Sequence, residues 1–90
     1  MKAIISVLGS DKPGIIAEIS GCLYRYNVNI LDITQTILPP NFFTMVMLVD
    51  ASDSPLPFGE IADRMEALGK ELGVDIHAQR EETFQAMHRI

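Results

Sequence analysis

The sequence predicts an α+β domain in which one four-stranded antiparallel sheet carries two helices on one face. Three observations lead there. Apolar segments of strand and helix period follow one another in the order β-α-β-β-α-β. Pro39, Pro40 and Asn41 form a rigid turn between the second and third strand segments, as a hairpin requires. The third strand segment is apolar on both faces and must be covered on both, although helices can cover only one in so small a domain. Crossover connections through two helices then give the ferredoxin-like arrangement. With 90 residues there is no room for a second core, so 1–90 is read as a single domain.

Residues 2–8 are short, rich in Ile and Val, and stop at Gly9, which favours a buried strand over a helix. Gly9, Ser10, Asp11, Lys12, Pro13 and Gly14 follow, and all but Lys12 are turn or cap formers. Ile15, Ile16, Ile19, Cys22, Leu23 and Tyr26 recur at helical spacing, with Glu18 and Arg25 opposite. Pro13 suits the first turn of that helix, and Asn27 suits a left-handed residue closing it. Residues 28–38 form the second strand, with Leu31, Ile33 and Ile37 expected toward the core and Asp32, Thr34 and Thr36 away from it. On the third strand, residues 42–49, Phe43, Met45, Met47 and Val49 share one face. Phe42, Thr44, Val46 and Leu48 share the other. Residues 50–57 are a loop. Phe58, Ile61, Met65, Leu68 and Leu72 mark an amphipathic helix closed by Gly73. Val74, Ile76 and Ala78 alternate with Asp75, His77 and Gln79 in a fourth strand, and 81–90 reads as a short tail helix.

Composition narrows the function. Seven Lys and Arg against twelve Asp and Glu leave a net charge of -5, and the cations are scattered. That argues against nucleic acid as the partner, because affinity for phosphate backbones rests on clustered cations. One cysteine allows neither an internal disulfide nor a Cys-rich zinc framework. No apolar run approaches the ~20 residues that span a bilayer, and no signal-peptide pattern opens the chain. The expectation is a compact acidic domain of the cytoplasm, with no membrane partner.

The first loop carries the most chemistry. A glycine-containing turn leading into a helix offers free backbone N–H groups and a positive dipole end, which suit a carboxylate or phosphate. Gly14 lets a ligand approach the backbone, and Asp11 can receive an ammonium group. Asn29, at the start of the second strand, adds donors and an acceptor if it lies near the loop. Together these groups suit a zwitterion such as a free amino acid. The plainer reading is that Ser10 or Asp11 caps the helix and no ligand is needed.

Asp11-Lys12-Pro13-Gly14-Ile15-Ile16 after an Ile/Val strand, with Asn29-Ile30 leading the second strand, resembles the ACT domain. The stretch from Asn29 to Thr36, Phe43-Thr44-Met45, and the closing 79–81 and 86–90 are similar to small stand-alone ACT proteins of bacteria and archaea. The resemblance covers the whole chain and implies βαββαβ order. It also implies a small effector held between the first loop of one subunit and the second strand of its neighbour. Carried over, the ligand-binding residues are Gly9, Ser10, Asp11, Lys12, Gly14, Ile15, Asn29 and Ile30. Apolar residues near Ile15 and Ile30 would judge the effector's side chain. Most ACT domains regulate an attached enzyme or DNA-binding domain, and this chain has neither, so the implied output acts through a separate protein partner.

The third strand independently predicts a homo-oligomer, with a dimer the simplest, because one of its apolar faces must look away from the helices. A fold-back of the tail, with Phe84 and Met87 as plugs, is the alternative cover. No catalytic residue, cofactor or metal is expected. Cys22 sits on the apolar stripe of the first helix as a small hydrophobe. His77 and His88 lie eleven apart and match no metal motif, although His77, Asp75 and Asp32 could meet on the open sheet face. Glu60, Asp63, Glu66 and Glu71 read as a solvated helix face. An RNA-recognition domain would need an aromatic on the first strand, and an acylphosphatase-like enzyme an arginine in the first loop; both are lacking. The reading is a regulatory domain without enzymatic activity. A ligand-free interaction module is the alternative.

Overall fold

A computed structural model describes residues 1–82. Its elements are β1 (Lys2–Ser10), α1 (Ile15–Arg25), β2 (Asn29–Leu38), β3 (Phe42–Asp50), α2 (Phe58–Leu72) and β4 (Val74–Arg80). The four strands form one antiparallel sheet in the order β2-β3-β1-β4. Each helical connection therefore steps over one strand: α1 carries the chain from β1 past β3 to β2, and α2 carries it from β3 past β1 to β4. This is the predicted ferredoxin-like fold. The proposed tail helix beyond residue 82, with Phe84, Met87 and His88, lies outside the described residues.

The two-faced third strand takes an inner position. Phe43, Met45, Met47 and Val49 are buried beneath the helices, joined from β1 by Ala3, Ile5 and Val7. Ile15, Ile19, Cys22 and Leu23 of α1, and Ile61, Met65 and Leu68 of α2, complete the core. Cys22 is buried, as a small core hydrophobe should be. On the other face Leu8, Phe42 and Val46 remain exposed, with Ile4 and Leu48 half-covered.

Both helix endings follow their sequence signals. Asn27 adopts φ 59°, its N–H donates to the Tyr24 carbonyl at 3.0 Å, and the Val28 N–H donates to Leu23 at 2.9 Å. That pair of bonds is the Schellman closure. Gly73 closes α2 at φ 75°, donating to Gly69. The Asn27 side chain also donates to the Asp53 carbonyl at 2.9 Å, tying the end of α1 to the loop after β3.

Three expectations fail. β1 runs through Gly9 and Ser10, so the loop is shorter than its composition suggested. Pro13 lies in the turn before α1, whose first residue is Ile15, rather than in its first helical turn. Leu31, Ile33 and Ile37 are not core residues; all three are more than 40% exposed. The alternation is right, since Ile33 and Ile37 lie opposite Met47 and Phe43 on the helix-covered face. Their strand, however, is an edge, and of its residues only Ile30 packs against the core. At Leu31 the register slips between Ile30 and Asp32, a bulge of the kind that edges carry.

Gly69 fixes how closely α2 approaches the sheet. A Cβ there would stand 2.7 Å from the Val74 carbonyl oxygen and 3.1 Å from the Ile76 side chain. Gly69→Ala is expected to destabilise the domain by about 1–3 kcal/mol, as overpacking does. Gly59→Ala, where a Cβ meets nothing within 4 Å, is the matched control and should be neutral or slightly stabilising. Thermal melts of the two variants measure the difference.

Candidate functional site

The loop between β1 and α1 is anchored by the hairpin turn at the same end of the sheet, where Ser10 pairs with Phe42. The Asp11 N–H donates to the Asn41 carbonyl at 3.0 Å, and the Asn41 side-chain amide donates back to the Asp11 carbonyl at 3.3 Å. The β2–β3 hairpin turn thus holds the loop by its backbone. Nothing in the sequence signalled Asn41, since a turn asparagine looks the same whether or not it braces a distant segment.

No side chain caps α1. Its N-cap is Gly14 at φ 94°, which has no side chain to offer, so neither Ser10 nor Asp11 plays the predicted capping role. The first intrahelical bond runs from the Glu18 N–H to the Gly14 carbonyl at 2.9 Å. The opening N–H groups of the helix therefore carry its positive dipole end without a side-chain acceptor. Gly14 is exposed, and its Cβ direction is open.

The remaining predicted residues divide. Gly9 is a packing glycine: a Cβ would meet Val74 Cγ1 at 2.7 Å, so it admits the neighbouring strand β4. Ser10 is exposed at the end of β1. The Lys12 ammonium lies beside Gly73, 3.2 Å from where a Cβ would stand. Ile15 is 1% exposed and packed in the core. A cleft of about 420 Å³ opens beside the loop, lined by Leu8, Gly9, Ser10 and Phe42 from the sheet and by Lys70, Gly73 and Asp75 from the α2–β4 junction.

Asn29 and Ile30 are elsewhere. β2 is separated from β1 by β3, and Asn29 pairs with Asp50, which pairs with Lys2 at the start of β1. Eight residues of strand, about 26 Å, separate that row from Ser10. Within one chain, then, Asn29 cannot act with the loop. The expectation that it lies near the turn is corrected, and the two groups can meet only between chains. Asn29 lines a separate cleft of about 220 Å³ with Tyr24, Asn27, Val28, Asp50 and Asp53. In it, the Ser52 hydroxyl (2.6 Å) and backbone N–H (3.0 Å) both donate to Asp50, with the N-terminal ammonium 3.5 Å away. These bonds, the hydroxyl's foremost, hold the Asp50 carboxyl below its ordinary value of 3.8.

Asp32 and His77 stand on opposite edge strands and do not meet, so the suggested metal set does not assemble. No group of three metal-ligating side chains occurs among the described residues. Glu60, Asp63, Glu66 and Glu71 are solvated, as expected. Arg64 lies over the Tyr26 ring at 5.2 Å and 3.7 Å from Glu60. Hydrogen bonding to Tyr26, more than Glu60's charge, raises its guanidinium pKa above the ordinary value. No helix among the described residues is long and apolar enough to cross a membrane.

A family model described as ACT domain matches residues 2–79. The chain belongs to the ACT domain family. A UPF0237 protein of Methanopyrus kandleri is 45% identical to this ACT domain over 89 residues, covering 99% of this chain and 98% of its own. An ACT domain protein from Streptococcus pneumoniae superposes with a TM-score of 0.82 at 42% identity, covering 94% of each chain. A putative glycine cleavage system transcriptional repressor shares the fold, with a TM-score of 0.71 at 22% identity over 87% of this chain and 44% of its own. The ACT domain here thus has the length of its near relatives, while the shared fold makes up less than half of the repressor's chain.

Two outcomes follow from this geometry. Gly14→Ala should cost about 1–2 kcal/mol through its backbone alone, since a left-handed residue with a Cβ is strained even in open space. A denaturant melt reads it. Because the folded-state pKa of Asp50 is depressed, its stabilisation is present above 3.8 and lost as the pH falls through the folded value. Asp50→Asn should flatten that acid limb of the stability profile and leave the neutral range without pH dependence from this group.

Proposed function

We propose that this ACT domain is a non-enzymatic sensor that binds a small effector, an amino acid, where two copies of the chain meet. The observation that carries this reading is the N-terminus of α1, which no side chain caps and which begins at an exposed glycine with open space at its Cβ position. A carboxylate is the natural occupant of such a helix end. The Asn29 amide supports the same reading only from a second chain, because its own chain holds it at the far end of the sheet. The exposed apolar face of β1 and β3, with Leu8, Phe42 and Val46, supplies a surface for the homodimer. The output passes to a separate protein in the cytoplasm.

The same apolar face favours a second reading, a ligand-free oligomer that docks on an enzyme or regulator. A thermal-shift panel of amino acids and common metabolites, run beside a solution mass measurement, separates the two. A ligand at a hundred times its dissociation constant should add about 2.7 kcal/mol, several degrees in a domain of this size. Asn29→Ala should weaken that ligand's binding, and unchanged affinity would remove Asn29 from the site. A flat panel on a well-folded oligomer supports the interaction module.

A further inference from the structure

The cleft at the end of β1 carries a specific set of charges. Lys70 lines it from the last turn of α2, and the Lys12 ammonium, although Lys12 is not part of the lining, stands beside the lining residue Gly73. Asp75 lines it from β4, directly across from Leu8 in the strand register. Among the described residues, none of these three charged groups makes an ion pair or a side-chain hydrogen bond. Leu8 and Phe42, both exposed, give the cleft an apolar wall. At about 420 Å³ it falls in the ~300–1,000 Å³ range of small-molecule sites.

Two ammonium groups and one carboxylate are the complement of two carboxylates and one ammonium. We infer that the cleft takes an acidic α-amino acid, with its carboxylates on Lys12 and Lys70 and its ammonium on Asp75. The inference rests on the sensor reading and moves the ligand's anchor from the helix N-terminus to these side chains. A purely anionic ligand such as phosphate is disfavoured because Asp75 repels it, and a neutral zwitterion leaves one lysine unpaired. The ligand's methylene groups lie along Leu8 and Phe42. Since those residues belong to the open sheet face, a second copy seated there would roof the cleft and shield its ion pairs from solvent.

The test is calorimetric titration of the full chain with L-glutamate and L-aspartate, beside L-glutamine, which lacks one carboxylate, and glutarate, which lacks the amine. One of the acidic amino acids should bind at least about tenfold more tightly than glutamine or glutarate. Lys12→Gln and Lys70→Gln should each erase the preference over glutamine. Asp75→Asn should erase the preference over glutarate while strengthening glutarate itself. These are surface substitutions, so melting curves recorded alongside confirm folding. If the lysine variants lower the melting temperature but leave affinity unchanged, the lysines serve only the C-terminal dipole of α2 and the inference falls. A different amino acid whose binding ignores all three variants but needs Asn29 would overturn the inference and leave the sensor reading standing. Binding of nothing in this panel would overturn the inference, and the sensor reading would then stand or fall on the wider thermal-shift panel.

Discussion

Burial of Phe43, Met45, Met47 and Val49 beneath two helices is the interaction on which the rest of this molecule depends. These residues alternate with a second set that is also largely apolar, so burying one row turns Phe42, Val46 and Leu48 outward. Two helices suffice for one face of the sheet and no more. The chain resolves this by placing β3 and β1 at the centre, where their inner rows share the core. The leftover apolar surface is then concentrated on one open face instead of being scattered. Close contact between α2 and β4, possible only because position 69 lacks a side chain, sharpens the asymmetry: the β4 edge is tightly covered and the β2 edge is largely exposed.

The strand order has a second consequence, which concerns chemistry rather than stability. Because each helix steps over a strand, the loop after β1 and the start of β2 emerge at opposite ends of the sheet. The two segments whose residues most suggest ligand binding are thereby held apart by the full length of a strand. A rigid sheet does not fold up to join them. On the proposed reading, a complete site arises only when a second chain brings its own β2 to the loop. Ligand and association would then stabilise one another by mass action. The Asn41 brace matters in the same way, since it fixes the loop's position by backbone bonds and leaves its side chains free.

Much of this was legible in the sequence, for reasons that can be named. The order of elements, the parity of β3, the closure of α1 at Asn27 and that of α2 at Gly73 all depend on local periodicity or on a single residue's backbone preference. Such signals survive without tertiary information. What failed depends on neighbours. Ile33 and Ile37 have the alternation of core residues, but whether a helix lies above them is set by strand order, which periodicity does not encode. The capping role assigned to Ser10 and Asp11 gave way because β1 continues through Ser10 and the turn begins later.

Gly9 and Gly14 show why a motif reading and a packing reading must be kept apart. Both stand in a loop-like run, and both looked like glycines that admit a ligand. At Gly9 the missing Cβ is accounted for within the chain, because Val74 occupies its place. At Gly14 nothing occupies it: the residue is exposed, its φ is positive, and the helix it begins has no side-chain cap. A glycine whose vacancy is filled by a core neighbour needs no ligand to explain it. One whose vacancy faces solvent is accounted for by its backbone alone. The left-handed turn explains why residue 14 is a glycine, and because that residue is itself the N-cap, the same choice leaves α1 without a side-chain cap, at a cost of only about a few tenths of a kcal/mol.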